Sequence, residues 1–321
     1  MFHPGARGRK FVTTLCGLAT TVLLLVPLPA SAHGVAGRRF FPTTFAVDDP
    51  FVSDEFSALY NFMKMPGDAG GPDVQSQSLA VEYSKRITSN FGLAIAETYL
   101  NLHTLGNGSV SGFGNLEASA KYQFYTSEEH ETIMSLGVSD EIGGTGSSKV
   151  GSEKFSVISP ALFFGKGFGD LPDSTGYLRP FAITGAIGPN YPTRSTTSTP
   201  NDQGGVDVTK NPTTLTWSFS IQYSLMYYQS FVKDLGLGMP WNRTVFVVEF
   251  PNETCMDGDC KNQTTSTINP GLAWIGKDKE FGLALQIPLN THSGKDIGLF
   301  ALFHLFLDDL FPTGIGRPIF P

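Results

Sequence analysis

The sequence predicts an all-β fold, a transmembrane antiparallel β-barrel of about 12 strands, on three observations. First, residues 213–228 alternate. Leu215, Trp217, Phe219, Ile221, Tyr223, Leu225 and Tyr227 form one row, and Thr214, Thr216, Ser218, Ser220, Gln222 and Ser224 form the other. Strand side chains point alternately to opposite faces, so one face of this segment meets an apolar phase and the other meets water. Second, beyond residue 32 there is no run of about 18 apolar residues to cross a bilayer as a helix. A mean hydropathy of -0.03 suits a wall of which half faces water. Third, the connections between strand-like segments alternate between short turns and longer loops, as they do in barrels.

The chain begins with a secretory leader. Arg7, Arg9 and Lys10 precede an apolar run over 11–28, then Pro29-Ala-Ser-Ala32 offers a small-residue cleavage site. Pro27 and Pro29 disfavour a retained helical anchor, so 1–32 reads as a signal peptide and the mature chain begins at His33. Cys16 leaves with the leader. Its removal takes three positive charges (Arg7, Arg9, Lys10) and no Asp or Glu, moving the net charge from -7 to -10. An acidic chain is a poor ligand for nucleic acid, and no such partner is expected.

Residues 33–54 precede the first strand and carry Arg38, Arg39, Phe40, Phe41, Asp48 and Asp49. Two arrangements are open to them: a plug whose charges pair with the inner wall, or a periplasmic tail.

Twelve strand-like segments follow, at 55–65, 76–87, 91–101, 113–125, 131–141, 154–166, 177–188, 213–230, 244–251, 266–276, 280–289 and 296–307. Several are near the length of about 9–11 residues that a bilayer requires. Alternation is clear where Leu79, Val81 and Tyr83 oppose Glu82 and Ser84, and where Ala118, Ala120, Tyr122 and Phe124 oppose Glu117, Lys121 and Gln123. It is equally clear where Phe281, Leu283 and Leu285 oppose Gly282, Ala284 and Gln286. The phase cannot be set at 131–141 or 154–166, and Glu97 is out of phase with Ile95 and Tyr99, which a bulge would correct. Helix signals are nearly absent.

With 55–65 running outward, the outer loops are 66–75, 102–112, 142–153, 189–212, 252–265 and 290–295. The tight turns 88–90 and 277–279 fall on the inner side, although 167–176 and 231–243 are long for that side. In lipid an open sheet edge has no water to satisfy it, so the last strand must pair with the first. Residues 55–307 then make the barrel and 308–321 a tail beyond it.

The remaining cysteines, Cys255 and Cys260, flank a short polar loop and predict a local disulfide in an oxidising compartment. Two thiols with no nearby His do not make a metal site. His33, as the mature N-terminus, would chelate copper only with a second imidazole, and His103, His130, His292 and His304 are scattered, so no metal is expected. Gly143-Gly-Thr-Gly146 lacks the Lys-Ser/Thr of a phosphate loop, and no Ser/His/Asp spacing identifies a triad, so no enzyme and no cofactor are predicted.

On this phasing the bore holds Glu82, Glu117, Lys121, Arg179, Gln222, Glu249, Gln286 and His304. These groups can form a charged constriction that selects permeants or a network that braces a narrow interior.

Gly112-Phe-Gly-Asn-Leu-Glu-Ala-Ser-Ala-Lys-Tyr-Gln-Phe124 resembles a segment of the outer-membrane proteins grouped as transporters of the meta-pathway of phenol degradation. Arg39-Phe-Phe-Pro42, Asp48-Asp-Pro-Phe51, Phe163-Phe-Gly-Lys-Gly-Phe-Gly-Asp-Leu-Pro172, Leu178-Arg-Pro-Phe181 and Leu307-Asp-Asp-Leu-Phe-Pro312 resemble an uncharacterised proteobacterial branch of such barrels. The resemblance implies a bacterial outer-membrane channel or transporter for small molecules, apolar or aromatic compounds among them. Its partners would be outer-membrane lipid, the barrel-insertion machinery and an unidentified permeant. A structural or surface-recognition barrel without transport is the alternative, and a rim-sited hydrolase the third.

Overall fold

The computed structural model describes residues 34–67, 71–201 and 204–320. The leader and His33 lie outside the described residues. Two short strands, β1 (Val35–Ala36) and β2 (Arg39–Phe40), form a small hairpin ahead of the wall. The wall is β3 (Glu55–Met65), β4 (Val74–Arg86), β5 (Phe91–Thr104) with its outer partner β6 (Gly108–Phe113), β7 (Glu117–Ser127), β8 (Thr132–Glu141), β9 (Val157–Gly167) and β10 (Phe181–Pro192). After a separate hairpin of β11 (Thr196–Pro200) and β12 (Val206–Lys210) come β13 (Thr214–Ser224), β14 (Thr244–Phe250), β15 (Asn252–Cys255), β16 (Thr264–Ile275), β17 (Lys279–Pro288) and β18 (Gly298–Phe306).

Twelve of these strands close into an antiparallel barrel. Neighbours in sequence pair around the ring, β10 pairs with β13, and β18 closes on β3 with Phe303 opposite Ala58. β6 pairs with the outer half of β5, in line with β7, and β15 carries the line of β14 past Pro251 between β13 and β16.

Alternation decides which side chains face out. On β17, Phe281, Leu283 and Leu285 are exposed on the outer surface while Glu280 and Ala284 are buried inside. On β13, Trp217 and Ile221 are exposed outside while Ser218, Ser220, Gln222 and Ser224 are buried inside.

Several boundaries differ from the sequence expectation. The strand expected over 213–230 ends at Ser224, whose hydroxyl accepts from Tyr227 N and caps helix α1 (Leu225–Phe231). A Ser N-cap with one turn of apolar residues is locally helical once the wall has ended. The segment expected at 177–188 begins only at Phe181, because a 3-10 turn occupies Asp173–Leu178. The segment expected at 113–125 begins at Glu117, and the loop before it holds β6. Loops 189–212 and 252–265 likewise contain β11, β12 and β15. The bulge expected near Glu97 is absent. Glu97 stays in register opposite Val81, and the observed register shift lies between Gln123 and Tyr125 of β7. The barrel ends in a short helix α2 (Leu307–Leu310), and the tail returns to the β4 end, where Phe320 N donates to Ile87 O at 2.8 Å.

The segment before β3 lies within the ring. Phe41, Phe45, Val47 and Phe51 are buried in it. Phe45 packs on Phe300 of β18, with ring centroids 6.1 Å apart, and Phe40 on Phe306 at 5.9 Å. The wall makes room with glycine. A Cβ on Gly282 would lie 2.7 Å from Phe45 Cε1, and one on Gly165 would lie 3.2 Å from the Pro50 ring.

Candidate functional site

The bore has two unlike sides. Against β14, β16, β17 and β18 the N-terminal segment is fixed by carboxylates. Glu249 Oε1 accepts from Phe45 N at 2.7 Å and its Oε2 accepts from Ala46 N at 3.0 Å. Glu280 Oε2 accepts from Thr43 N at 3.2 Å. His304 is fully buried. Its Nδ1 meets Ser57 Oγ at 2.9 Å and Thr43 Oγ1 at 3.3 Å, while Nε2 lies 3.5 Å from Glu55.

Against β4, β5, β7 and β8 the bore is open, with a cavity of about 460 Å³. Glu55, Glu82 and Glu117 from the wall and Asp48 and Asp49 from the N-terminal segment line it. Lys121 is the cationic residue in that lining. Its Nζ lies 3.4 Å from Asp48 and 3.7 Å from Asp49, donates to Asp49 O at 2.7 Å, and sits 4.7 Å from the centre of the Phe163 ring. Five carboxylates around one ammonium leave a negative field in the cavity. A second cavity of about 480 Å³ is walled by neutral amides and hydroxyls, among them Asn61, Asn252, Gln286 and Ser293.

At the inner end the N-terminal segment is tied to the wall. The Arg39 guanidinium is buried between Glu131 (3.2 Å) and the ring of Tyr227 (3.9 Å to its centre). It also donates to Pro180 O at 2.9 Å and to Arg179 O. Nearby, Asp54 holds Lys85 at 2.5 Å and Arg86 at 2.7 Å, tying the end of the N-terminal segment to β4.

The expected bore residues therefore separate. Glu82, Glu117 and Lys121 share the open cavity, and Gln286 lies in the second, accepting from Asn61 Nδ2 at 2.8 Å. Glu249 and His304 face the N-terminal segment. Gln222 is buried in the wall, donating to Ser220 Oγ at 3.1 Å. Arg179 is a correction. It follows the 3-10 turn, outside the strands, and pairs with Asp173 at 2.7 Å, because β10 begins at Phe181, four residues later than expected. Glu55, Glu280 and Glu131 were missed. Glu280 is in phase with Gly282 and Ala284, so alternation carried that signal. Glu55 opens its strand and Glu131 lies in a turn, where alternation carries none. The sulfurs of Cys255 and Cys260 are at disulfide distance. Asp257 between them accepts from Thr213 N at 3.0 Å and pairs with Lys210, joining this loop to the β11–β12 hairpin.

No family model matches the chain, and no curated protein matches it in sequence. Solved structures match in shape. An outer membrane channel from Pseudomonas putida F1 superposes with a TM-score of 0.58 at 11% identity, covering 83% of this chain and 99% of that one. The KdgM porin gives 0.44 at 13% identity over 78% of this chain and 98% of that one. The NanC porin gives 0.46 at 6% over 78% and 98%. The first of these shares the fold of this chain, a closed antiparallel barrel of the kind found in outer-membrane channels.

Proposed function

We propose that this chain is a bacterial outer-membrane channel for small molecules, with a preference for cations. The observation that carries this reading is the cavity in which Glu55, Glu82, Glu117, Asp48 and Asp49 surround Lys121. A barrel whose bore were purely structural would pair all of these charges, whereas among the described residues Glu82 and Glu117 form no ion pair. The cavity carries an excess of carboxylates over its one ammonium, as in pores that select by rings of carboxylates. The leader, removed near Ala32, would export the chain, and the barrel-insertion machinery would place it in lipid. The likeness to the phenol meta-pathway transporters belongs to this reading, as does a disulfide between Cys255 and Cys260.

Residues 34–54 are the gate. They are tied to the wall at the inner end through Arg39 and rest on Glu249 and Glu280, so passage requires this segment to move. The test is conductance of the refolded mature chain in planar bilayers. We expect a current whose reversal potential in a salt gradient favours cations. Glu82→Gln with Glu117→Gln should reduce that preference, and deletion of 34–53 should raise the conductance. A folded barrel that carries no current with that segment deleted abandons the channel. The same silence would favour the alternative, a closed barrel that acts through its outer loops.

A further inference from the structure

The hydrogen-bond ladder between β9 and β10 is interrupted in the outer half of the wall. Pairing runs from Ala182 opposite Gly167 to Ile187 opposite Leu162, stops, and resumes with Tyr191 opposite Ile158. Its parity is set at both ends: Phe168 N donates to Phe181 O at 3.0 Å, and Thr193 N donates to Ser156 O at 2.8 Å. In an antiparallel ladder every second pair exchanges both bonds. Counting in twos from either end makes Pro189 and Pro160 such a pair. Proline has no N–H, so both bonds are impossible. Roughly 13 Å of strand, from Ile187 to Tyr191, is left without a cross-strand bond.

The β16–β17 ladder is a useful contrast. It breaks between Ile268 opposite Ile287 and Gly271 opposite Ala284, where Pro270 faces Leu285, so one side keeps its donor. At the β9–β10 seam the backbones instead touch directly. A Cβ on Gly188 would meet Pro160 O at 2.1 Å, so only glycine allows the strands to close there. Lipid supplies no donor for the carbonyls left over, which makes this seam costly in a membrane wall and easily parted.

Its two faces differ in chemistry. Inward, Ser159, Ala161, Gly188 and Asn190 line the same cavity as Glu82 and Glu117. Outward, Ile187 and Tyr191 are exposed where lipid would lie. Lys121 is occupied by Asp48 and Asp49, and among the described residues no cationic side chain forms an ion pair with Glu82 or Glu117. We infer that the β9–β10 seam is a lateral portal between the cavity and the bilayer, for small amphipathic cations. The ammonium end rests by Glu82 and Glu117, and the apolar chain lies between Pro160 and Pro189 into lipid. This deepens the channel reading, from which it takes the membrane orientation and the hydrated bore.

The test places a reporter thiol in the cavity, Ser139→Cys, in the full mature chain reconstituted in vesicles. One methanethiosulfonate reagent carries a trimethylammonium group on a dodecyl chain and is delivered in the membrane. A second is the short trimethylammonium-ethyl analogue, delivered in water. Pro160→Val with Pro189→Val restores both donors. It should slow labelling by the lipid-borne reagent about tenfold, the factor that two added hydrogen bonds impose on an opening. The water-borne rate should stay within about twofold, since no net bond closes its route. Pro189→Val alone, should the pair not fold, should slow the lipid-borne reagent about threefold, the factor for one bond. Glu82→Gln with Glu117→Gln should slow the lipid-borne cation but not a neutral lipid-borne analogue. An unchanged lipid-borne rate in the valine variants overturns the portal. Conductance of the same vesicle-reconstituted chain is read separately. Its absence alongside seam-dependent labelling removes the channel and keeps the portal.

Discussion

The two sides of the bore follow different rules although one sheet builds both. β4, β5 and β7 face water: Glu82, Thr98, Glu117 and Ser119 line their cavity, and Leu79, Leu93 and Tyr122 are exposed on the outer surface. β18 and the inner half of β9 face the N-terminal segment, and their inner residues include Phe163, Phe300 and Leu302, all buried. Ile133 of β8 is buried among Phe41, Phe51 and Ala36. A strand against water is amphipathic, whereas a strand between lipid and a packed peptide is apolar on both faces. Binary patterning thus reports what fills a barrel as well as where its wall lies.

The largest test of this contrast removes one cation from each side. Arg39→Ala strands Glu131 in a buried site, a loss of about 3–5 kcal/mol for a broken buried pair. The midpoint of heat- or urea-induced unfolding, read from the gel mobility of the barrel, should fall accordingly, and the inner end should open to current. Lys121→Ala leaves Asp48 and Asp49 beside the cavity, where they keep access to it, and should cost less, about 1.5–3 kcal/mol. Equal losses would dissolve the distinction between the two sides.

Packing should separate them next. Phe45→Ala empties a buried site against Phe300 and Gly282 and should cost about 3 kcal/mol. Thr98→Ala on the hydrated side should stay within about 0.5 kcal/mol. Urea midpoints of the two variants at constant slope make the comparison. A smaller step is Glu249→Gln, which keeps one oxygen for Phe45 N but turns an NH2 toward Ala46 N. About 1–2 kcal/mol of loss is expected, with faster protease cleavage within 34–54.

The contrast also explains what could be read from residues alone. β3 falls at 55–65 as expected, and β17 keeps its expected phase, because lipid lies on one face and small or polar groups on the other. β8 and β9 hid their phase because Ile133 and Phe163 point inward as apolar residues while Lys166 points outward. Lys166 is tolerated outside because it reaches Asp170 at 2.8 Å in the inner turn. The inward path of the N-terminal segment was one of two arrangements open to its composition. What distinguishes them is the set of partners Glu131, Glu249 and Glu280, which are remote in sequence. Arg179 was misplaced for a local reason: Leu178-Arg-Pro-Phe181 looks strand-like, but the wall starts only after its proline.

The two sides meet where β18 closes on β3, and the outer rim there offers the smallest and most local test. Lys64 Nζ lies 3.5 Å from Asp73 and 3.2 Å from Asp296, and Lys295 Nζ lies 2.8 Å from Asp73. These contacts link the β3–β4 loop to the β17–β18 loop. The hydrogen bond from Lys295 holds the Asp73 carboxyl below its ordinary value. A depressed carboxylate stabilises the fold at pH above its unfolded pKa of about 3.9, and that stabilisation disappears as pH falls through the lower folded value. The clamp should therefore be intact from neutral pH down to about 4 and should loosen only below it. Because Asp73 lies in a loop at the rim, outside the strands, the barrel itself should not respond, and the change should appear as faster cleavage of the two loops by an acid-active protease. Asp73→Asn should give the loosened loops at every pH, with the unfolding midpoint unmoved. A pH-dependent midpoint abolished by the same substitution would mean that the rim clamp holds the two sides of the barrel together, and that they are not independent.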